Sequence, residues 1–239
     1  MKTIINSTNK YLVKDTTKDF HSEYGVIKSS DLSKKKAKTN KDIQFSIFDP
    51  IFIDVYEKIK RRAQIITLKD IGTIISLTGI NQDSVVLDAG SGSGALCCFL
   101  AHLCKKVISY ELREDHQKIA QDNVDFLGLK NIALGAGDVR EKIAEKDIDL
   151  IVFDIPDPWN AIDQAKKALK QGGFLVLYSP TIPQVIDTVN IIKEKHRDDL
   201  IFLSTLETIQ REWEVDGRKV RPKSSYINHT GFLTFIRRV

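Results

Sequence analysis

Residues 85–94, VVLDAGSGSG, decide the fold of this 239-residue chain. The first three form an apolar run of the kind that is buried on both faces of a parallel β-sheet. Three alternating glycines follow, and the pattern from about residue 95 to residue 103 predicts a helix. Glycine lets the backbone approach a ligand closely, and the free N–H groups at the start of a helix favour an anionic group. The stretch therefore predicts a ligand-binding turn between a strand and a helix.

Further strand and helix patterns alternate along the chain. Predicted strands lie at 107–110, 132–134, 150–153 and 174–178, predicted helices at 71–77, 113–127 and 162–169, and a predicted turn at Gly172-Gly173. Strands separated by helices of about 10 to 15 residues are typical of βαβ units with a parallel sheet. We therefore expect an α/β fold, namely a Rossmann-like doubly wound domain.

The first 60 residues have a different pattern. Short apolar groups such as Tyr11-Leu12-Val13 alternate with polar turns, which is typical of a small β-rich module. Helical spacing at residues 51–59 predicts the link to the main domain. We therefore divide the chain into a small β-rich N-terminal domain with its linker, residues 1–60, and a main domain, residues 61–239.

Composition indicates a folded protein of the cytoplasm. Apolar residues make up 42% and charged residues 28% of the chain, as in globular proteins with a sizeable core. No stretch approaches the roughly 20 apolar residues of a membrane helix, and the amino terminus lacks the apolar core of a signal peptide. The spacing of Cys97, Cys98 and Cys104 suits neither a zinc site nor a disulfide framework, so we expect reduced cysteines and no metal.

Basic residues are concentrated toward both ends of the chain, although the formal net charge is only +4. Residues 1–70 carry 15 Lys and Arg against 9 Asp and Glu, and residues 206–239 carry 7 against 4. The intervening segment carries 14 against 19 and is net acidic. This distribution suits a small-molecule domain flanked by surfaces for a polyanion, although lysine clusters such as residues 34–38 are more often solvated loops.

The glycine-rich turn alone does not distinguish two cofactors. Gly90, Gly92 and Ala95 satisfy the dinucleotide fingerprint G-x-G-x-x-G/A, so both NAD and S-adenosylmethionine are compatible with it. Glu111, at the end of the next predicted strand, can accept hydrogen bonds from the ribose hydroxyls of either cofactor. Asp138 follows the third strand, where its carboxylate can accept from an adenine amino group.

An acidic, proline-rich loop favours S-adenosylmethionine. The segment 154–159, DIPDPW, follows the fourth predicted strand at the edge of the sheet where ligands bind. A dehydrogenase has no need of such a loop beside the reactive end of its cofactor, whereas nucleic-acid base methyltransferases use a D-x-P-x-[FYW]-like loop to receive the target base. The alternative is a turn capped by Asp154 with Trp159 packed beneath it.

With these motifs the chain resembles the tRNA (adenine-58, N1) methyltransferase family. The resemblance is to the single-polypeptide bacterial and archaeal type, which is similar to the catalytic subunit of the eukaryotic enzyme, and it covers nearly the whole chain. It rests on these segments: 11–13 (YLV), 20–27 (FHSEYGVI), 61–66 (RRAQII), 69–70 (KD), 154–159 (DIPDPW), 180–185 (PTIPQV), 211–215 (REWEV) and 229–233 (HTGFL). Asp88 and Ser91 stand where Glu and Thr are frequent in the family, and the loop between Gly25 and Phe45 is unusually rich in lysine.

The resemblance implies S-adenosylmethionine as cofactor and tRNA as partner. The residues that it implies for the cofactor site are Gln64, Gly90, Gly92, Ser93, Gly94, Ala95, Leu96, Glu111, His116, Asp138 and Asp154. For His116 the sequence by itself favours a solvent-exposed histidine. The family also implies a homotetramer, assembled as a dimer of dimers, and we expect tRNA contacts from the N-terminal domain and residues 211–221.

Asp154 is the residue that we expect to carry catalysis. N1 of adenine is already a nucleophile, so displacement on a sulfonium methyl needs positioning more than a strong base. A carboxylate that accepts from the N6 amino group fixes N1 and stabilises the cationic product. Tyr178 is a second catalytic candidate, because it could stack or hydrogen-bond beside the base. The alternative, that Tyr178 only packs in the core, is equally compatible with the sequence. Trp159 and Gln184 are further candidate contacts for a base extruded from the T-loop.

Two other functions remain open from the sequence. The first is a methyltransferase of the same fold that acts on a small molecule or a protein, for example of the precorrin or isoaspartate type. The second is a non-catalytic tRNA-binding subunit. The loop at 154–159 and the basic ends argue against the first, and the intact turn with Glu111 and Asp154 argues against the second. Methylation of adenine 57 besides adenine 58 is also open.

Overall fold

The chain folds into two compact units. The structure, a computed structural model, describes residues 1–62, 64–225 and 229–239. The units are Met1–Ile59 and Lys60–Val239, whereas the division expected from the sequence lies after residue 60. Within the described ranges, no helix has both the length and the apolar character needed to cross a membrane.

The first unit is built from short antiparallel strands. Its elements are β1 (Lys2–Ile5), β2 (Lys10–Val13), β3 (Phe20–Ser22), β4 (Gly25–Ile27), β5 (Lys36–Lys38), β6 (Gln44–Phe48) and the helix α1 (Phe52–Tyr56). Strands β2, β1, β6 and β5 pair in that order, and β3 pairs with β4. Alternate apolar side chains, among them Ile4, Phe45 and Ile47, are buried and form the core of this unit. The predicted β-rich amino-terminal part is confirmed.

The second unit alternates helices and strands. Its elements are α2 (Leu68–Thr78), β7 (Val85–Ala89), α3 (Ala95–Leu103), β8 (Lys106–Glu111), α4 (Glu114–Leu127), β9 (Ile132–Ala136), β10 (Ile148–Phe153), α5 (Ile162–Ala168), β11 (Leu169–Ser179), α6 (Ile182–Lys195), β12 (Leu200–Glu207), β13 (Trp213–Asp216), β14 (Lys219–Pro222) and β15 (Phe232–Arg238). Strands β13 and β14 form a separate hairpin. The other strands form one sheet in the order β12-β15-β11-β10-β7-β8-β9.

This strand order confirms the predicted α/β fold, a Rossmann-like doubly wound domain. Strands β7 to β11 are parallel, and the chain runs from β7 through β8 to β9 at one edge before it returns to β10 on the other side of β7. The turn after β7 and the loop after β10 therefore meet at the carboxyl edge of the sheet, where ligands bind in such folds. Strand β15 is antiparallel to β11 and β12, so its beginning, rather than its end, lies at this edge.

The core of the second unit lies on both faces of the sheet. Leu87, Ile151 and Phe153 on the central strands are fully buried, as expected for strands covered by helices on both sides. The helix α3 contributes Cys97 and Cys98, and Cys104 follows it; all three thiols are free and buried.

The glycine pair at 172–173 differs from the prediction. These residues lie within β11 instead of forming a turn before it. The register between β10 and β11 shifts between Ile148 and Leu150, and Gly172 has a φ of +79°. Glycine adopts this conformation at little cost, so the strand continues through an irregular step.

Candidate active site

The glycine-rich turn joins β7 to α3 in a conformation that depends on glycine. Gly90, Gly92 and Gly94 have φ values of +89°, +53° and +78°. A Cβ atom on Gly90 would collide with the carbonyl oxygen of Asp154, and one on Gly94 would lie 3.1 Å from Cβ of Ala120. The turn therefore lies directly against the loop after β10 on one side and against α4 on the other.

A buried hydrogen-bond chain supports this turn. Ser109 Oγ donates to Asp88 Oδ2 at 2.7 Å, and the hydroxyl oxygens of Ser91 and Ser109 lie 2.5 Å apart. The backbone N–H groups of Gly90 and Ser91 donate to the carbonyl oxygen of Tyr110 at 3.0 and 3.1 Å. Burial raises the pKa of Asp88 to about 7, against the lowering effect of the Ser109 hydrogen bond. No role for this hydrogen-bond chain was predicted from the sequence.

Glu111, the last residue of β8, is held by backbone N–H groups. Its Oε2 accepts from Gly92 at 2.8 Å, and its Oε1 accepts from Leu112 and Arg113 at 2.9 and 3.0 Å. Nδ1 of His116, in the first turn of α4, lies 3.8 Å from Oε2, and the His116 side chain is only 14% exposed. The solvent-exposed histidine that the sequence by itself favoured is therefore wrong.

A cavity of about 390 Å³ opens beside Glu111 at the carboxyl edge of the sheet. The expected cofactor residues that line it are Gln64, Gly90, Gly92, Glu111, His116, Asp138 and Asp154. It is also lined by residues that the sequence analysis did not select, among them Tyr110, Gly137, Arg140, Ile155 and Pro156. Tyr110 directly precedes Glu111 on β8, so its place at the end of this strand could have predicted that it lines the cavity.

A narrower cavity lies along the turn itself. Among the residues that line it are Gln64, Ile65, Ile66, Gly90, Gly92, Ser93, Ala95, Leu96 and Asp154. The hydroxyl of Ser93 is buried and has no hydrogen-bond partner among the described residues, so it is free to bind a ligand. Gly94 lines neither cavity and precedes α3 as its N-cap. Four residues line both cavities, and we call them the junction: Gln64, Gly90, Gly92 and Asp154.

Asp154 brings to the junction a carboxyl group that has no partner within 1–62, 64–225 and 229–239. Its backbone N–H donates to the carbonyl oxygen of Ala89 at 2.9 Å, which fixes the loop to the end of β7. None of the described residues donates a hydrogen bond to its carboxylate or pairs with it. Burial, together with the charge of Glu111, raises the pKa of Asp154 to about 7. The group therefore ionises near neutral pH and is free to accept a hydrogen bond from a ligand.

The rest of the 154–159 loop contributes less to the cavities. Ile155 and Pro156 line the larger one, and Asp157, with a φ of +53°, precedes a 3₁₀ turn that spans Pro158–Ala161. Trp159, in that turn, is half-buried and lines neither of the two cavities.

Gln184 also stays away from both cavities. Its Oε1 accepts from the backbone N–H of Thr181 at 3.2 Å and from the Thr181 hydroxyl at 2.9 Å. Gln184 therefore caps the start of α6, which accounts for its side chain without a base contact.

Tyr178 is not brought into the cavities. Its side chain is buried, and its hydroxyl donates to the carbonyl oxygen of Thr230 at 2.5 Å. The ring packs against Gly231, where a Cβ atom would come within 2.5 Å of it. Burial raises the pKa of Tyr178 to about 12. This geometry favours the core tyrosine over a residue that contacts the base.

Asp138, which follows β9, lines the larger cavity as a partner of Arg140. Nε of Arg140 lies 2.9 and 3.0 Å from the two carboxylate oxygens, and Nη2 lies 2.6 Å from Oδ2. The hydrogen bonds from Arg140 lower the pKa of Asp138 and keep it ionised. Since each carboxylate oxygen can accept more than one hydrogen bond, Asp138 can still receive an amino group of a ligand.

Comparison with known proteins identifies the family. The sequence model of the family described as "tRNA methyltransferase complex GCD14 subunit" matches residues 56–229. This chain belongs to that family. This chain is similar to a protein of Methanocaldococcus jannaschii that is named tRNA (adenine(57)-N(1)/adenine(58)-N(1))-methyltransferase TrmI. It is 36% identical over 95% of this chain and 91% of its own length.

Two solved structures share the fold over the whole chain. The tRNA (m1A58) methyltransferase TrmI from Aquifex aeolicus has a TM-score of 0.84 and 25% identity, and the match covers 100% of this chain and 96% of that one. A SAM-dependent O-methyltransferase from Thermotoga maritima has a TM-score of 0.86 and 29% identity, with 100% and 92% covered. The family and the methyltransferase fold expected from the sequence are confirmed.

Proposed function

We propose that this protein transfers a methyl group from S-adenosylmethionine to N1 of adenine 58 in tRNA. The observation that carries the proposal is the junction, where the carboxyl group of Asp154 lines both cavities and has no partner among the described residues. The larger cavity has room for a nucleoside, and the smaller one runs along the start of α3, so we expect the methyl group and the target base to come together where the two meet.

The residues present fit the cofactor. Glu111 and Asp138 in the larger cavity offer acceptors to ribose hydroxyls and to an adenine amino group. The free hydroxyl of Ser93 and the N-terminus of α3 offer donors to a carboxylate in the narrower one. When bound, the cofactor supplies a methyl group on a positively charged sulfur.

Asp154 has two tasks in this proposal. Its carboxylate accepts a hydrogen bond from the N6 amino group of the target adenine and so holds N1 in line with the methyl group. N1 carries a lone pair and no proton, so a methyl group transferred to it would leave the base cationic. The carboxylate of Asp154 would offset this charge.

The proposal assigns tRNA binding to the N-terminal unit and to the hairpin region 211–221. In this region Trp213 is 53% exposed, and the guanidinium of Arg211 lies 5.9 Å from the centre of its ring. An exposed aromatic ring beside arginine is a stacking surface for an unpaired base. A homotetramer built as a dimer of dimers and a cytoplasmic location belong to the same proposal.

The name of the Thermotoga maritima neighbour gives a second candidate, methyl transfer to a hydroxyl oxygen. The two are distinguished by incubating the protein with a tRNA transcript and methyl-labelled S-adenosylmethionine and analysing the nucleosides by mass spectrometry. We expect N1-methyladenosine, and its loss in a transcript with guanine at position 58. Label that persists in this transcript at adenine 57 extends the specificity to both adenines. Absence of N1-methyladenosine, or label only on ribose oxygen, would overturn the proposal.

A further inference from the structure

Thr230 lies just before β15 and connects several elements through hydrogen bonds. Its carbonyl oxygen accepts from the hydroxyl of Tyr178 at 2.5 Å and from Nε2 of Gln64 at 3.2 Å. Its Oγ1 lies 2.6 Å from Nζ of Lys69 and donates to Oδ2 of Asp70 at 2.7 Å. We call these five residues the Thr230 cluster.

A buried ion pair fixes one side of this cluster. Asp70 is fully buried, the Lys69 side chain is 8% exposed, and Nζ lies 3.0 Å from Oδ1. Nζ also donates to the carbonyl oxygen of Thr208 at 2.6 Å, and Asp70 also accepts from the Thr67 hydroxyl at 2.8 Å. A buried pair with its hydrogen-bonding groups occupied in this way has a defined geometry. The hydroxyl of Thr230 bonds to both charges, so its orientation is defined as well.

Gln64 is the cluster member that also belongs to the junction. Its side chain is exposed and lies in the irregular segment before α2, so packing does not restrict its rotamers. The hydrogen bond to the Thr230 carbonyl holds the amide nitrogen. The Gln64 amide also hydrogen-bonds to the side chain of Tyr178, so it is the amide oxygen that remains for a ligand at the junction.

We propose that Thr230 is a positioning residue for the methyl-transfer site. It holds the Gln64 amide in one orientation at the junction, and the Lys69–Asp70 pair together with Tyr178 holds Thr230. The inference rests on the proposed function, because that function makes the junction the place where the methyl group and the base meet. Without the anchor the cavities persist, but the Gln64 amide rotates, and the loss appears in kcat more than in cofactor affinity.

The matched variants are Thr230→Val and Thr230→Ser. Valine keeps the shape without the hydroxyl, whereas serine keeps the hydroxyl. We expect kcat for tRNA methylation to fall about tenfold in the valine variant and to stay within about twofold in the serine variant. Thr188→Val is the control, because the Thr188 hydroxyl on α6 is buried and has no partner among the described residues. We expect it to keep the parental kcat.

A double variant separates positioning from general structure. If Thr230 acts through Gln64, Thr230→Val lowers kcat no further once Gln64→Ala is present. Equal fold-losses in both backgrounds, or a folded Thr230→Val protein with unchanged kcat, would overturn the inference. If the valine variant does not fold, Tyr178→Phe, which removes the other donor to the same carbonyl, replaces it in this comparison.

A second measurement is independent of activity. The side-chain amide signals of Gln64 in a ¹H–¹⁵N spectrum are assigned by their loss in Gln64→Ala. We expect one amide proton to be protected from exchange in the parent and in Thr230→Ser, and this protection to be lost in Thr230→Val. An inactive parent protein contradicts the proposed function, and the amide signal still decides the anchor. Protection that survives in Thr230→Val contradicts the anchor whatever the activity.

Discussion

Glu111 ends β8 and Asp154 follows β10, the two strands on either side of β7. Both residues line the same cavity, but they differ in the hydrogen bonds that their carboxyl groups receive. Three backbone N–H groups donate to Glu111 before any ligand is present. No described residue donates to the carboxylate of Asp154, and its pKa is raised to about 7. The protein thus stabilises one negative charge itself and leaves the other for a ligand to stabilise.

This difference suggests different tasks for the two residues: Glu111 binds the cofactor, and Asp154 compensates a positive charge on a ligand. A carboxylate that backbone N–H groups hold in place in advance suits the hydroxyls of a ribose, because accepting them requires no rearrangement. A carboxyl group that ionises near neutral pH responds to a cation, because a positive charge nearby favours its charged form. We therefore assign cofactor affinity mainly to Glu111 and turnover mainly to Asp154.

The largest expected effect is that of Asp154→Ala. Loss of one positioned electrostatic group typically costs about 100- to 1000-fold in turnover, so we expect a fall of that order in kcat for tRNA. Cofactor affinity, measured by calorimetry, is expected to fall much less. Asp157→Asn in the same loop is the control, since Asp157 lines neither cavity and asparagine tolerates its positive φ.

Asp154→Asn sharpens this result. The amide oxygen still accepts from N6 of the base but does not offset the cationic product. Near-normal turnover of Asp154→Asn means that positioning suffices and the charge argument is wrong. Near-normal turnover of Asp154→Ala removes Asp154 from catalysis altogether.

A smaller effect is expected for Glu111→Ala, and on affinity rather than on turnover. Hydrogen bonds to a charged acceptor contribute about 1–3 kcal/mol, so S-adenosylmethionine should bind about 10- to 100-fold more weakly. Turnover at saturating cofactor should stay close to that of the parent. Glu114→Ala, in the exposed first turn of α4, is the control. An unchanged dissociation constant would remove Glu111 from the cofactor site.

The pH dependence of binding tests the raised pKa of Asp154. Below pH 7 this carboxyl group is mostly protonated and uncharged, and above pH 7 it is an anion that attracts the sulfonium. The affinity for S-adenosylmethionine relative to S-adenosylhomocysteine, whose sulfur is neutral, should therefore rise between pH 6 and pH 8, by less than the roughly tenfold rise in the ionised fraction of Asp154. Asp154→Asn should make this ratio independent of pH. A flat ratio in the parent would contradict the raised pKa.

The smallest expected effect is on stability and concerns His229, which directly precedes Thr230. In contrast to Glu111 and Asp154, the charged form of this side chain is a cation. Nδ1 of His229 lies 2.6 Å from Oε1 of Glu207, and Nε2 lies 3.0 Å from the carbonyl oxygen of Pro180. Both partners are acceptors, and the hydrogen bonds to Glu207 and Pro180 raise the pKa of His229. The stabilisation is therefore complete below the unfolded pKa of about 6.5 and is lost as the pH rises through the folded pKa.

The measurement is the Tm difference between the parent and Glu207→Gln. It should be positive at pH 6 and smaller at pH 9, and it should be small throughout because the pair is exposed. Glu212→Gln is the matched control, because Glu212 pairs with Lys223, which stays protonated over this range. A Tm difference that grows with pH would contradict the charged histidine.

The sequence predicted best the elements whose pattern is local. The helix expected from about residue 95 to residue 103 is α3, Ala95–Leu103, and the run 150–153 lies within β10, Ile148–Phe153. Three elements, α6, β12 and β15, were not predicted from the sequence. Strands β12 and β15 pair along the sheet although the hairpin region separates them in the chain, so their partners cannot be read from neighbouring residues.

The same distinction between local and long-range pattern applies to the residues of the candidate site. Glu111 and Asp154 were expected at one edge because parallel strands end there, and both line the larger cavity. Tyr178 also lies at the end of a strand, but Gly231 and Thr230 cover it, and only the antiparallel pairing of β15 brings them there. The contact of Thr230 with Asp70 spans 160 positions and has no local pattern.

The direction of β15 has a consequence for protein synthesis. Of the described strands it is the last to be made, and its beginning places Thr230 beside Gln64 and Tyr178. A nascent chain that has already formed β7 to β11 has the glycine-rich turn, Glu111 and Asp154, but it lacks the carbonyl that anchors Gln64. The anchored junction therefore requires β15 to have left the ribosome and inserted between β11 and β12.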